Sequence, residues 1–132
     1  MHIALMSVAL NIISENGRLS LQGVLTRVLV SGFPSILHSS DIEAKLYTVW
    51  SNVDQAVDST LVVMEGHHHE VLRTQTRIPS GEGDVVQVST LQNIKIGSPS
   101  DLLFVQIVEG KVLAYCRLLI TNTSRLPAGT YA

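Results

Sequence analysis

The pair Asn16-Gly17 sits in the stretch Ser14-Glu15-Asn16-Gly17-Arg18, between apolar segments at residues 3–13 and 19–30. Asn-Gly flanked by strand-like runs is a strong short-range hairpin signal, because the favoured two-residue turn needs positive φ at both central positions. A chain that opens this way begins as an antiparallel pair, and a strand-and-turn rhythm continues along its 132 residues. Val and Ile together number 26 against 7 Ala and 3 Lys, so residues suited to a pleated surface outweigh good helix formers. The expected fold class is all-β, an antiparallel β-sandwich of about eight strands with immunoglobulin-like or related topology.

Along the chain, the apolar pattern changes phase after Gly23, which predicts a bulge there. Ser31-Gly32-Phe33-Pro34 ends the strand and predicts a crossover between sheets. Residues 41–53 alternate with Ile42, Ala44, Leu46, Thr48 and Trp50 on one side, which predicts one strand with Trp50 in the core. Residues 52–60 read as a loop, 61–65 and 71–78 as strands around a turn, and 79–84 as a glycine-rich loop. The last third predicts strands at 85–96, 102–108 and 112–120, the last two joined by a Glu109-Gly110 turn. One domain over residues 1–122 is expected, followed by a loosely held tail at 123–132.

Composition narrows the function. Charged residues make up 15% of the chain, against about 25% in typical soluble domains, so apolar surface is left for a sheet partner or for self-association. Leu25, Leu29, Val49 and Leu119 are the candidate interface residues. Nine Lys and Arg against eleven Asp and Glu, scattered singly, give no concentrated field for a phosphate backbone, and nucleic acid is not an expected partner. No segment has the 18 or more apolar residues of a membrane span, and residues 3–13 lack the basic flank and cleavage site of a signal peptide. A soluble cytoplasmic protein without a membrane partner is the expectation.

Chemistry-bearing clusters are sparse. Glu65, His67 and His69 would share one side of an extended chain, and a His-x-His pair with a carboxylate can hold zinc or nickel. The plainer reading is a solvated turn, and no cofactor is expected. Cys116 lies on the apolar side of the alternating run Val112, Ala114, Cys116, Leu118 and Ile120, where a thiol acts as a small core hydrophobe. No Gly-x-Ser-x-Gly elbow is present, and Gly81-Glu82-Gly83-Asp84 lacks the Lys of a phosphate loop. Asp54 with Asp58, and Glu82 with Asp84, read as solvated loop residues rather than acid–base pairs. Tyr47, Tyr115 and Trp50 would need to share a face to stack on a sugar, whereas Trp50 alternates with the apolar set.

The order Asn16-Gly17-Arg18-Leu19-Ser20-Leu21-Gln22-Gly23-Val24, then Phe33-Pro34, resembles a family of small bacterial single-domain β-sandwich proteins of unknown function. Its members open with an apolar strand, an Asn-Gly-Lys/Arg hairpin, a strand carrying Gly, and Phe-Pro; Leu25 stands here where they often carry an aromatic. The resemblance implies a sandwich and supplies no catalytic residue. The expected function is a non-enzymatic protein-interaction or assembly module, with a structural homo-oligomer subunit as the alternative and a metal-binding protein using the His67–His69 turn as a third reading.

Overall fold

The computed structural model describes residues 1–122, so the expected tail at 123–132 lies outside the described residues. The regular structure of the described residues is almost all strand: β1 (His2–Glu15), β2 (Arg18–Val24), β3 (Arg27–Val30), β4 (Ser35–Leu37), the short helix α1 (Ser39–Ile42), β5 (Lys45–Ser51), β6 (Val57–Glu65), β7 (His69–Ile78), β8 (Asp84–Ser89), β9 (Ile94–Ile96), β10 (Ser100–Val108) and β11 (Lys111–Asn122). Three sheets result, with strand orders β2-β1-β5-β8, β3-β11-β10-β6-β7 and β4-β9. Every pairing is antiparallel except that of β3 with β11.

The opening hairpin forms where the sequence places it. Glu15 pairs with Arg18, and Asn16 and Gly17 take φ of 50° and 73°, as a two-residue turn with the right twist requires. β1 serves two neighbours in succession, pairing with β5 from His2 to Ala9 and with β2 from Ala9 to Glu15. The expected bulge at Gly23 is absent, since Ala9 opposite Val24 and Asn11 opposite Gln22 keep one register. Gly23 is needed for another reason. Its φ is +64°, and a Cβ there would lie 2.5 Å from Leu10 Cδ1, so the Leu10 side chain covers a position that only glycine leaves open.

The change of phase after Gly23 is a change of sheet. The Leu25 N–H donates to the Val8 carbonyl at 2.9 Å in the first sheet, while the Leu119 N–H donates to the Thr26 carbonyl at 3.0 Å in the second. One change of sheet therefore falls at residues 25–26, and a second falls at 31–34 as expected, between β3 of the five-stranded sheet and β4 of the two-stranded one.

Other boundaries also differ from the expected ones, giving eleven strands among the described residues rather than about eight. Residues 39–42 form α1, and Glu43 closes it with φ 54°. The helix is held by the Leu91 N–H donating to Ser39 Oγ at 2.7 Å and the Ser39 N–H donating to the Leu91 carbonyl at 2.7 Å. That same loop divides the expected strand 85–96 into β8 and β9. β6 starts at Val57, inside the expected loop, because Ser59 is buried and bonded rather than solvated. In β11 the register slips opposite Gln106 and Ile107, so Val112 leaves the apolar side and is 60% exposed, while Leu113 packs inward instead.

Two apolar clusters fill the interior. The larger joins Val8 and Leu46 of the first sheet to Leu61, Val63, Leu102, Phe104, Leu118 and Ile120 of the second; the smaller gathers Trp50, Val53, Ile78 and Val108. Full burial of each large side chain contributes about 1.5–3 kcal/mol. A polar network runs between the sheets: Ser59 Oγ donates to Gln106 Oε1 at 2.6 Å, and Gln106 Nε2 donates to Thr48 Oγ1 and Gln87 Oε1, each at 3.3 Å. Trp50 Nε1 donates to the same Gln87 oxygen at 2.9 Å. Ser59, Thr48, Gln106 and Trp50 are all buried, so these bonds offset a desolvation cost of about 1–3 kcal/mol per polar group left unmade. Among the described residues no helix is long and apolar enough to cross a membrane.

Candidate functional site

Partners directly opposite in a sheet share a face, so the register sorts the residues that miss both core clusters. On the outer face of β2-β1-β5-β8, Leu5, Val49 and Val86 form one row and Ser7, Tyr47 and Val88 the next. Ala9 is flanked there by Val24 and Lys45. Val49 is only 2% exposed and Tyr47 6%, while the residues around them lie open, Val88 at 49% and Val24 at 50%. Leu5 and Val86 therefore flank Val49 in its row, and Ser7 and Val88 flank Tyr47 in the next. Among the described residues the charges at the ends of this patch are Lys45 on one side and, on the other, Asp84, whose Oδ1 accepts from Ser51 Oγ at 2.7 Å.

The outer face of β3-β11-β10-β6-β7 has a similar apolar centre in Val62 and Val105, both buried. Its rim is charged. Arg73 lies opposite Val62, Arg117 opposite Leu103, Arg27 opposite Leu119 and Arg77 opposite Asp58. Arg73 Nη2 meets Glu70 Oε1 at 2.7 Å, and Arg77 Nη1 meets Asp58 Oδ1 at 3.1 Å. The hydrogen bond from Arg73, aided by its charge, holds the Glu70 carboxyl below the ordinary carboxylate range. Arg117 stands over the exposed Tyr115 ring at 5.9 Å.

The four expected interface residues therefore separate. Val49 is at the centre of the apolar face. Leu29 and Leu119 are half-buried on the opposite, arginine-rimmed face, and Leu25 packs against the main core at the change of sheet. Val24, Val86 and Val88 complete the apolar face. The signal for Val86 and Val88 was the Val-Val-x-Val spacing, legible only once the outer side of β8 was known.

The histidine turn folds differently from an extended strand. Glu65 and His69 become opposite partners across residues 66–68, so Glu65, His67 and His69 do not line up along one side of a strand. Glu65 Oε1 accepts from the Gly97 N–H at 3.0 Å, and the His67 and His68 rings meet edge to face at 6.4 Å. Glu65 and His69 also line a cleft of about 460 Å³ with Pro34, Ile36, Lys95 and Ile96. Among the described residues no group of three or more His, Cys, Asp or Glu comes together in a way that could hold a metal ion.

The remaining candidates are placed apart from one another. Cys116 packs against the main core, and burial pushes its thiol up to about 12, against a smaller opposing hydrogen bond from the Val8 backbone. Such a thiol is almost wholly protonated at neutral pH and a poor nucleophile. Trp50 lies in the interior, Tyr47 on one outer face and Tyr115 on the other, so no aromatic platform forms. Asp58 is engaged by Arg77 and Asp84 by Ser51.

Comparison with known proteins finds no family model that matches the chain, no matching curated protein and no matching solved structure.

Proposed function

We propose that this chain is a non-catalytic protein-interaction or assembly module, built as a β-sandwich of immunoglobulin-like connectivity and working through the outer face of β2-β1-β5-β8. The sandwich reading is supported by the core, which joins side chains of both larger sheets, and by the chain's repeated passage between them, from β5 to β6 and β7, back to β8, then to β10 and β11. The observation that carries the functional reading is the apolar row of Leu5, Val49 and Val86, with Val88 exposed beside Tyr47 on the same face. Isolated exposed apolar residues are ordinary, whereas a contiguous group on one face marks a contact surface.

Co-purification of the full chain from its own cells tests this reading, with Val86→Lys and Val88→Lys together compared against Arg73→Glu on the opposite face. The reading predicts that proteins recovered with the wild type, whether further copies or another chain, stay with Arg73→Glu and are lost from the double-lysine variant. Equal recovery with both variants contradicts it.

A further inference from the structure

Each of the two larger sheets ends in two edge strands, and an edge strand invites pairing with another chain unless it is short, bulged, charged or covered. β3 is only four residues long. β7 carries Glu70, Arg73 and Arg77 and a slip in register opposite Val63 and Met64. β2 has the positive-φ Gly23 and lies in a hairpin ribbon beyond the reach of β5. β8 has no bulge, and its one charge, Asp84, stands at its first residue. Its sequence, Asp-Val-Val-Gln-Val-Ser, holds no Lys or Pro, its six residues follow β5 in an unbroken register, and among the described residues its far edge pairs with nothing.

We infer that β8 pairs antiparallel with β8 of a second copy about a twofold axis beside Gln87, making one continuous eight-stranded sheet. The inference rests on the reading of the chain as an interaction module and names its partner. In this register Gln87 opposes its own counterpart, and Val86 opposes Val88 of the second copy. Four valines exposed in the single chain then cover one another on the outer face. A one-step slip either way would move Val86 or Val88 against a polar residue or off the strand.

Charge supports the same register. The β5–β8 pairing runs to Leu46 opposite Ser89, so the next positions, Lys45 and Thr90, fall side by side. The twofold axis places Asp84 of the second copy opposite Thr90. Lys45, Thr90 and that Asp84 thus form one row on the outer face, with Lys45 and Asp84 two strand spacings, about 10 Å, apart at Cα. Their side chains span that gap, and symmetry makes the pair twice. No like charges meet across the seam among the described residues.

Light scattering of the full chain at rising concentration tests this, with charge exchange as the specific probe. Wild type is expected to approach twice the 14.4 kDa chain mass. Val86→Lys with Val88→Lys is expected to weaken the dimer at least tenfold, because lysines would face lysines. Val86→Asp with Val88→Lys is expected to restore it, because Asp would face Lys. A monomer at every concentration, or a Val86→Asp, Val88→Lys variant no tighter than the double lysine, overturns the inference. If either variant fails to fold, Val86→Cys with Val88→Cys decides: oxidation should link two chains, and a product that stays monomeric on a non-reducing gel overturns the inference. Should self-association fail while co-purification still depends on Val86 and Val88, the interaction-module reading stands and only the second copy is wrong. Failure of both removes both.

Discussion

On the outer face of β3-β11-β10-β6-β7, Val62 and Val105 are surrounded by Arg73, Arg77, Arg117 and Arg27, two of them in ion pairs. On the outer face of β2-β1-β5-β8, the corresponding centre has Leu5 and Val86 beside Val49, and Ser7 and Val88 beside Tyr47. Both centres are buried, and each has its own set of neighbours within its sheet. The faces differ in what those neighbours offer to a third party. A charged rim is well solvated and costly to bury unless each charge finds a partner, whereas an apolar rim gains about 25 cal/mol for each Å² removed from water. The two faces therefore differ in how readily each could be buried, through the residues around the centre rather than through position within the sheet.

The largest expected effect tests whether the two faces hang on one interior. Gln106→Ala removes the group that ties Ser59 to Thr48 and Gln87 across the sheets, leaving a buried hydroxyl unpaired and a cavity. Chemical denaturation should show a loss of about 2–4 kcal/mol in one cooperative step. Two separate transitions would mean that the sheets are stabilised independently, and the comparison would then join unrelated units.

A smaller effect contrasts the two sides of β11. Cys116 faces the core and Tyr115 the outer surface, so at pH 8 an alkylating agent should leave the native thiol unmodified while Tyr115 is open to nitration. The raised thiol pKa also carries a sign for stability. The protonated form is favoured by folding, so its contribution is complete below the ordinary value of 9.0 and is lost as pH rises towards about 12. The denaturation midpoint should fall across that window in wild type and fall less in Cys116→Ala.

The smallest effect concerns the charged rim. Glu70 and Arg73 are exposed, and screening leaves such a pair little net worth. Glu70→Gln should leave the melting temperature unchanged and leave association unchanged, which separates this rim from the valines of β8.

Parts of this arrangement are legible in the sequence because they follow from local rules. Asn16-Gly17 and Glu109-Gly110 both close two-residue hairpins with positive φ at each residue, and Trp50 is buried where the alternation places it. Cys116 packs against the core as its run suggests. Alternation gives the side of a strand but not its sheet. The change of sheet at residues 25–26 depends on Val8 and Leu119, distant in sequence, and one run of residues 19–30 hides it. Polar residues mislead for a related reason. Ser59 and Gln106 look solvated until they find each other across 47 positions. Of the candidate site, Val49 alone was legible, since finding Val86 and Val88 requires knowing that β8 is an edge whose outer side is uncovered.

Hydrogen exchange of backbone amides, followed over a range of protein concentrations, tests most directly the claim that contacts are made at β8 and the apolar face. Amides of Asp84–Ser89 should become protected as concentration rises, while those of the charged edge His69–Ile78 keep the same rates. Exchange in Asp84–Ser89 that is fast and independent of concentration, or protection that grows at His69–Ile78 instead, would contradict it.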